Sequence, residues 1–222
     1  MLLLAQSLAF ASNNLLTVSR TTSSGQSWED RYSEKEFAFG KEPNDFLVEA
    51  ADKTTKGDTL VLADGEGRNG VYLASLGHRV VTVDLSPTGV KKSQQLAAER
   101  HVEIDAQVGD LEFFDFGIAN WDCIVSIFCH LPFELRKDIH QRVKIALRPG
   151  GQFVLEAYNK ANIGRGVGGP QSTELTLELS ELEEQFAGYK LLINRTIERN
   201  IVEGKYHNGM SSTTQFVAVK PT

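Results

Sequence analysis

The sequence predicts an α/β fold, a doubly wound and mostly parallel sheet that ends in an antiparallel hairpin. Three observations carry this expectation. From about Trp28 to Tyr158, short β-branched runs alternate with segments of helical spacing. The first such run feeds a glycine-rich loop that opens a helix. The C-terminal part then breaks the rhythm with two long strand-like runs, "YKLLINRTIERNIVEG" and "SSTTQFVAVKP".

The elements follow in order. Pro43 and Asn44 start a helix leading into the first strand, "TLVLA" (59–63). "RNGVYLASLG" has helical spacing and stops at Gly77, and "RVVTVD" (79–84) completes a β-α-β unit. In "SPTGVKKSQQLAAER", Ser86 is the N-cap, Pro87 stands at the first helical position and the helix runs to Arg100. "VEIDAQV" alternates with period two and reads as the third strand; "DCIVSIF" is the fourth. Pro132 opens the amphipathic helix "PFELRKDIHQRVKIAL", and "RPGG" turns into the fifth strand, "QFVLEAY". Ser180 and Glu183 form a capping box for "ELEEQFAG". The last two strands join through "KYHNG", where Asn208-Gly209 signals the hairpin turn. Crossovers between the parallel strands are expected to be right-handed.

A chain of 222 residues buries a full core, and residues 28–222 read as one domain. The net charge of -6 and the lack of a Lys/Arg run disfavour a nucleic-acid partner. No apolar run is long enough to predict a transmembrane helix, so no membrane partner is expected. Cys123 and Cys129 lie in the apolar run "CIVSIFC" without metal-ligand spacing. Both read as buried thiols in a reducing compartment, with no metal site. Residues 1–27 have no Asp or Glu, one Arg and a surplus of Ser and Thr. This extension is either an organelle transit segment, plastid or mitochondrial, or a loose untargeted N-terminus of a cytoplasmic protein; "AFA" also has a short secretory look, without a positive n-region.

The loop "VLADGEGRNG" places Gly65, Gly67 and Gly70 in the spacing G-x-G-x-x-G. In an open α/β sheet the ligand sits beyond the carboxyl ends of the strands, where strand order reverses. Asp84, nineteen residues beyond Gly65, suits a grip on ribose hydroxyls. A pyrophosphate against the loop would meet Asp64 and Glu66, with only Arg68 to offset them. Two unit charges about 4 Å apart at an effective dielectric near 20 repel by roughly 4 kcal/mol. The cationic methyl donor S-adenosyl-L-methionine (SAM) suits such a loop better.

"VLADGEGRNGVYLASLGHRVVTVDLS", "VGDLEFFDFGIANWDCIVSIFCHLP" and "LRPGGQFVLEAY" together resemble the class I SAM-dependent methyltransferases, in particular the branch of the tellurite-resistance TehB proteins. The resemblance implies a Rossmann-like seven-stranded sheet. It implies that Asp64, Gly65, Glu66 and Gly67 wrap the methionine part of SAM and that Asp84 holds the ribose, flanked by Leu85 and Ser86. Asp110 would accept from the adenine amino group, with Leu111 offering its amide, and Ser126, Ile127 and Phe128 would line the floor near the sulfonium. Gly70 then needs no ligand role and lets the first helix pack close to the sheet. Val61 and Ala63 depart from the family's D-x-G-x-G. "SWEDRYSEKEFAFGKEPNDFLVEAA" resembles the family's N-terminal lid, with Trp28, Tyr32 and Phe39 as apolar cover.

In-line methyl transfer needs a base only if the acceptor carries a proton. His130, directly after the fourth strand, is the candidate; Glu156, Tyr158 and His207 are further ones, and His78, His101 and His140 are expected at the surface. "NIGRGVGGP" reads either as a lid over the substrate or as a plain connection. The expected function is SAM-dependent methylation of a small-molecule acceptor. The alternatives are an NAD(P)-dependent oxidoreductase on the same glycine pattern, and a non-catalytic SAM-binding module.

Overall fold

The computed structural model describes residues 26–222. The expectation for the 1–27 extension therefore lies outside the described residues, except at Gln26 and Ser27. Ser27 caps the first helix, its side chain accepting from the Asp30 amide.

In chain order the elements are α1 (Trp28–Tyr32), α2 (Asp45–Ala51), β1 (Asp58–Leu62), α3 (Arg68–Ser75), β2 (Arg79–Asp84), α4 (Pro87–Glu99), β3 (Asp105–Val108), β4 (Trp121–Ile127), α5 (Phe133–Ala146), β5 (Leu147–Tyr158), α6 (Leu179–Gln185), β6 (Lys190–Glu203) and β7 (His207–Val219). Short 3-10 turns occupy Lys160–Asn162 and Thr173–Leu175. The seven strands lie in the order β3-β2-β1-β4-β5-β7-β6. Strands β1 to β5 pair in parallel; β7 is antiparallel to both β5 and β6. The fold is Rossmann-like and doubly wound, as the sequence predicts.

Period-two alternation sends neighbouring strand residues to opposite faces. Leu60, Ile124, Phe153 and Phe216 pack with Ile139 and Val143 of α5 and with Leu182 of α6. Val61, Val125, Val154 and Val217 pack on the other face with Phe46 and Leu47 of α2 and Leu73 of α3. Both faces are covered, which is why the central strands are apolar without a polar stripe. Val61 is therefore a core residue, 1% exposed.

Four local expectations are corrected. The third strand is shorter than "VEIDAQV": His101 adopts positive φ and the Val102 amide returns to Ala97 O, so pairing with β2 starts only at Asp105. "RPGG" is not a turn outside the fifth strand but an irregularity within it. Leu147 pairs with Trp121 and Gln152 with Cys123, and the residues looped out between them are tied to Lys220 by the Gly150 and Gly151 backbone. The capping box does not form: Glu178 is the N-cap of α6, Ser180 lies inside the helix, and Glu183 accepts from Asn194 instead.

The hairpin forms, but its turn is Gly204 to Tyr206 and not Asn208-Gly209, which pair with Val202 and Ile201. The cause is tertiary. Gly204 has φ +65, a Cβ there would meet the Ala38 carbonyl at 2.5 Å, and the Lys205 amide donates to that carbonyl at 2.9 Å. The segment covering the site thus fixes where the hairpin turns. At the other end of the hairpin, the edge strand β6 carries a register shift between Leu191 and Ile193.

Candidate active site

Strand order reverses between β1 and β4, so the loops after these two strands leave toward opposite faces. A cavity of about 460 Å³ opens at this point, within the usual range for small-molecule sites. The loops after β1, β2, β3 and β4 line it, α1 covers it, and the β6–β7 turn closes one side.

The acidic residues of the first loop are both buried, and they are used differently. Asp64 Oδ2 accepts from the Gly70 amide at 3.0 Å, whereas its Oδ1 is buried with no partner among the described residues. Burial pushes the Asp64 carboxyl up to about 7. Glu66 bonds inward, accepting from Lys92 Nζ at 2.8 Å and from the Ala38 amide at 2.7 Å. Burial raises the Glu66 pKa, and Lys92 opposes that rise. The expectation that both carboxylates present free charge is corrected: Glu66 fastens the cover to the loop, and only Asp64 keeps an open oxygen.

Asp84 ends β2 and accepts from the Gly65 amide at 2.8 Å and the Ser86 amide at 2.9 Å, one bond to each oxygen. Each oxygen retains acceptor capacity for a ligand hydroxyl. Burial raises the Asp84 carboxyl to about 6. Leu85, Asp110, Leu111, Ile127 and Phe128 line the same cavity. Asp110 Oδ1 accepts from the Glu112 amide, which folds the loop after β3.

Three expected residues do not line the cavity. Gly67 is the left-handed N-cap of α3, Ser86 caps α4 and bonds to Glu29, and Ser126 is buried in β4. Gly70 packs as predicted, since a Cβ there would collide with Thr82 of β2. Ala63, at the place of the family's glycine, lines the cavity at φ +49. It holds the left-handed conformation that glycine adopts without strain, at a cost of about 1–2 kcal/mol.

The other end of the cavity is aromatic. Phe128 stacks on Tyr158 with centroids 4.7 Å apart, His130 stacks on Tyr158 at 5.5 Å, and His207 meets Phe39 at 4.6 Å and Phe128 at 4.8 Å. His130 Nδ1 lies 3.0 Å from Leu175 O, while its Nε2 is buried without a partner among the described residues. Burial drives the His130 pKa down to about 3, so the ring is neutral, with the Nδ1 proton donated to the carbonyl. Gly166, Gly168, Gly169 and Pro170 border the cavity, so the glycine-rich stretch takes part in the site's wall.

Glu156 is not at the site surface. It is fully buried and accepts from Asn44 Nδ2, Arg199 Nε and Nη2, Thr213 Oγ1 and Gln215 Nε2 at 2.7–2.9 Å. Of the histidines expected at the surface only His101 is exposed. His78 is buried against Thr59 Oγ1, and His140 is buried on Gln185 with its pKa lowered to about 4 by desolvation. Cys123 is a core thiol as expected, but Cys129 is half-buried and lines the cavity.

Trp28, Tyr32 and Phe39 form the predicted cover, with centroids 5.9–6.4 Å apart. Sequence reasoning missed Arg31. Its guanidinium sits 3.9 Å over the Tyr206 ring and 5.5 Å from Trp28, it is 8% exposed, and it has no ion pair among the described residues. Its Nε is buried without a hydrogen-bond partner among them. A single Arg in a polar lid segment gives no periodicity to flag it.

A buried acceptor on Asp64 and a buried donor on Arg31, both on cavity-lining residues, fit a ligand carrying an ammonium and a carboxylate. Asp84 fits vicinal hydroxyls. Residues 60–151 match the family model described as a methyltransferase domain. The fold and site accordingly define a class I SAM-dependent methyltransferase. The chain is 26% identical, over 71% of its length and 70% of the relative's, to the 2-heptyl-1-hydroxyquinolin-4(1H)-one methyltransferase of Mycobacteroides abscessus. In fold it is similar to TehB from Haemophilus influenzae, with a TM-score of 0.67, 20% identity and coverage of 88% of this chain and 68% of that one. It is also similar to magnesium protoporphyrin IX methyltransferase (ChlM) from Synechocystis PCC 6803, with a TM-score of 0.57, 17% identity and coverage of 79% and 75%. The dinucleotide alternative gives way to these matches.

Proposed function

We propose that this enzyme methylates a small, flat aromatic acceptor bearing a hydroxyl group. The observation that carries this reading is the division of one cavity into a carboxylate-bearing end and an end walled by stacked rings. The hydroxyquinolone in the name of the Mycobacteroides abscessus relative supports the acceptor class. When bound, SAM supplies an activated methyl group on a sulfonium.

The chain's own residues bind, orient and exclude water. Asp64 takes the ammonium and Arg31 the carboxylate of the methionine part, while Asp84 accepts from the ribose hydroxyls. Asp110 and Leu111 border the adenine, and Ile127 and Phe128 form the floor where the methyl group is exposed. The ring wall aligns the acceptor oxygen, which is where most of the rate enhancement of an in-line transfer originates. His130, neutral and with a bare Nε2, offers a hydrogen-bond acceptor in that wall. Incubation with labelled SAM and a panel of hydroxy-heterocycles and phenols tests the reading. Methyl transfer to a panel member is expected. Tight SAM binding with no transfer to any acceptor would favour the non-catalytic module instead.

SAM affinity should depend on pH. The free protein holds protons on Asp64 and Asp84 up to about 7 and about 6, and a ligand that binds the ionised carboxylates must expel them. Affinity therefore rises between pH 5 and 7 and levels off above, by up to about tenfold per pH unit for each carboxylate that must ionise. Titration calorimetry in buffers of different ionisation enthalpy should show proton release at pH 6 and little at pH 8. A flat profile would remove both carboxylates from the binding step.

A further inference from the structure

Two histidines border the aromatic end of the cavity, and their surroundings differ. His130 donates to a backbone carbonyl, and the charged side chain that bears on it, Arg136, opposes a positive ring. His207 instead has its Nδ1 3.7 Å from Glu203 Oε2, an ion-pair distance about 0.5 Å beyond a hydrogen bond. Both residues are buried.

Glu203 is firmly held. Its Oε2 accepts from Arg68 Nη2 at 2.6 Å and its Oε1 from Asn44 Nδ2 at 3.0 Å, with Arg199 Nη2 at 3.4 Å. The His207 ring is fixed in turn by Phe39, Phe128 and Tyr158, with centroids 4.6–5.3 Å away. Gly168 presses on it so closely that a Cβ there would lie 2.9 Å from His207 Cδ2. With Nδ1 turned toward Glu203, Nε2 is the ring nitrogen left to the cavity that His207 lines. A neutral imidazole bearing its proton on Nδ1 presents a lone pair there.

The geometry points to His207, oriented by Glu203, as the group that accepts the hydroxyl proton of the methyl acceptor, an inference that rests on the aromatic hydroxyl acceptor proposed above. In the step, an oxygen lone pair forms the bond to the methyl carbon and the carbon–sulfur bond breaks, its electron pair going to sulfur, which becomes neutral. The hydroxyl proton passes to His207 Nε2. The imidazolium so formed is compensated by Glu203, which burial pushes toward the neutral form but which His207 and Arg68 hold below the usual carboxylate range, and it later loses its proton to solvent. Glu203 is a positioning residue, and His207 the catalytic one. Burial first, and then Arg68 of α3 and Arg31 of α1, oppose a positive ring against the pull of Glu203, so the His207 pKa lies below the usual imidazole range and the resting ring is the neutral proton acceptor.

His207→Gln and Glu203→Gln test this against the wild type, with thermal melting and SAM affinity confirming folded protein. On a phenolic acceptor assayed below the phenol's own pKa, His207→Gln should lower kcat by about a hundredfold or more. The loss should shrink as pH rises past that pKa, because the acceptor is then already deprotonated. Glu203→Gln should lower kcat on the phenol by about tenfold with a smaller change in KM. Independently of turnover, ¹⁵N NMR should find the neutral His207 ring protonated on Nδ1, and Glu203→Gln should shift that tautomer. An unchanged kcat on the phenol, or a ring protonated on Nε2, overturns the inference while leaving the methyltransferase reading standing. Wild-type protein that transfers no methyl group to any protic acceptor overturns the acceptor reading, and the inference with it.

Discussion

Replacing Glu156 by Leu should lower stability by about 3–5 kcal/mol, the range expected when one partner of a buried ion pair is removed. Glu156 stands in β5, fully buried, and its carboxylate is the common acceptor for side chains from the start of α2, β6 and β7. Leu in its place leaves the Arg199 guanidinium without its main counter-charge, and the Asn44, Thr213 and Gln215 donors without an acceptor. At about 2–4 °C per kcal/mol for a chain of this size, the melting temperature should drop on the order of 10 °C. Thermal unfolding by circular dichroism checks it. Glu156→Leu combined with Arg199→Met should recover a large part of the loss, because the unpaired charge disappears with its partner. A single variant within about 1 kcal/mol of wild type would mean that the network is not what joins the hairpin to the parallel strands.

Asp84→Ala should weaken SAM binding by at least tenfold, about 1.4 kcal/mol. Two effects act together. The proposed ribose acceptors are lost, and the Gly65 and Ser86 amides, which Asp84 holds at 2.8 and 2.9 Å, lose the partner that shapes the first loop and the start of α4. Titration calorimetry gives the affinity, and a thermal melt separates loss of binding from loss of fold. An affinity equal to that of the wild type would mean the ribose is held elsewhere.

The parallel half of the fold was legible because its signals are local and repeated: β-branched runs, the Ser86-Pro87 helix start and the Asn44 cap all stand where the sequence puts them. The misplaced hairpin turn shows where local signals stop. Asn208-Gly209 is the stronger turn dipeptide, yet the contact between Ala38 and Gly204, far apart in sequence, decides the register. The site divides in the same way. Asp84, marked by its spacing from Gly65, and Asp64, marked by its place in the loop, both line the cavity. The inward bond that Glu66 accepts from Lys92, and an Arg31 Nε without a hydrogen-bond partner among the described residues, depend on how the cover folds back, which no periodicity records. His78 and His140 were misjudged because a histidine satisfied by one hydrogen bond in the interior looks, in sequence, like one in solvent.

The edge strand β6 has a consequence for the protein's behaviour at high concentration. A strand running from Lys190 to Glu203 at the rim of a sheet offers unpaired backbone along its outer side, a template for pairing with another molecule. Two features counter this. The register shift between Leu191 and Ile193 twists the rim where it is most apolar, and Arg195, Glu198 and Arg199 set charges of both signs along its middle. Arg195 is in turn neutralised on the protein's own surface by Glu49 of α2. Substituting Arg195 and Glu198 with apolar residues would leave the catalytic cavity intact and turn the rim into a surface prone to strand-to-strand aggregation.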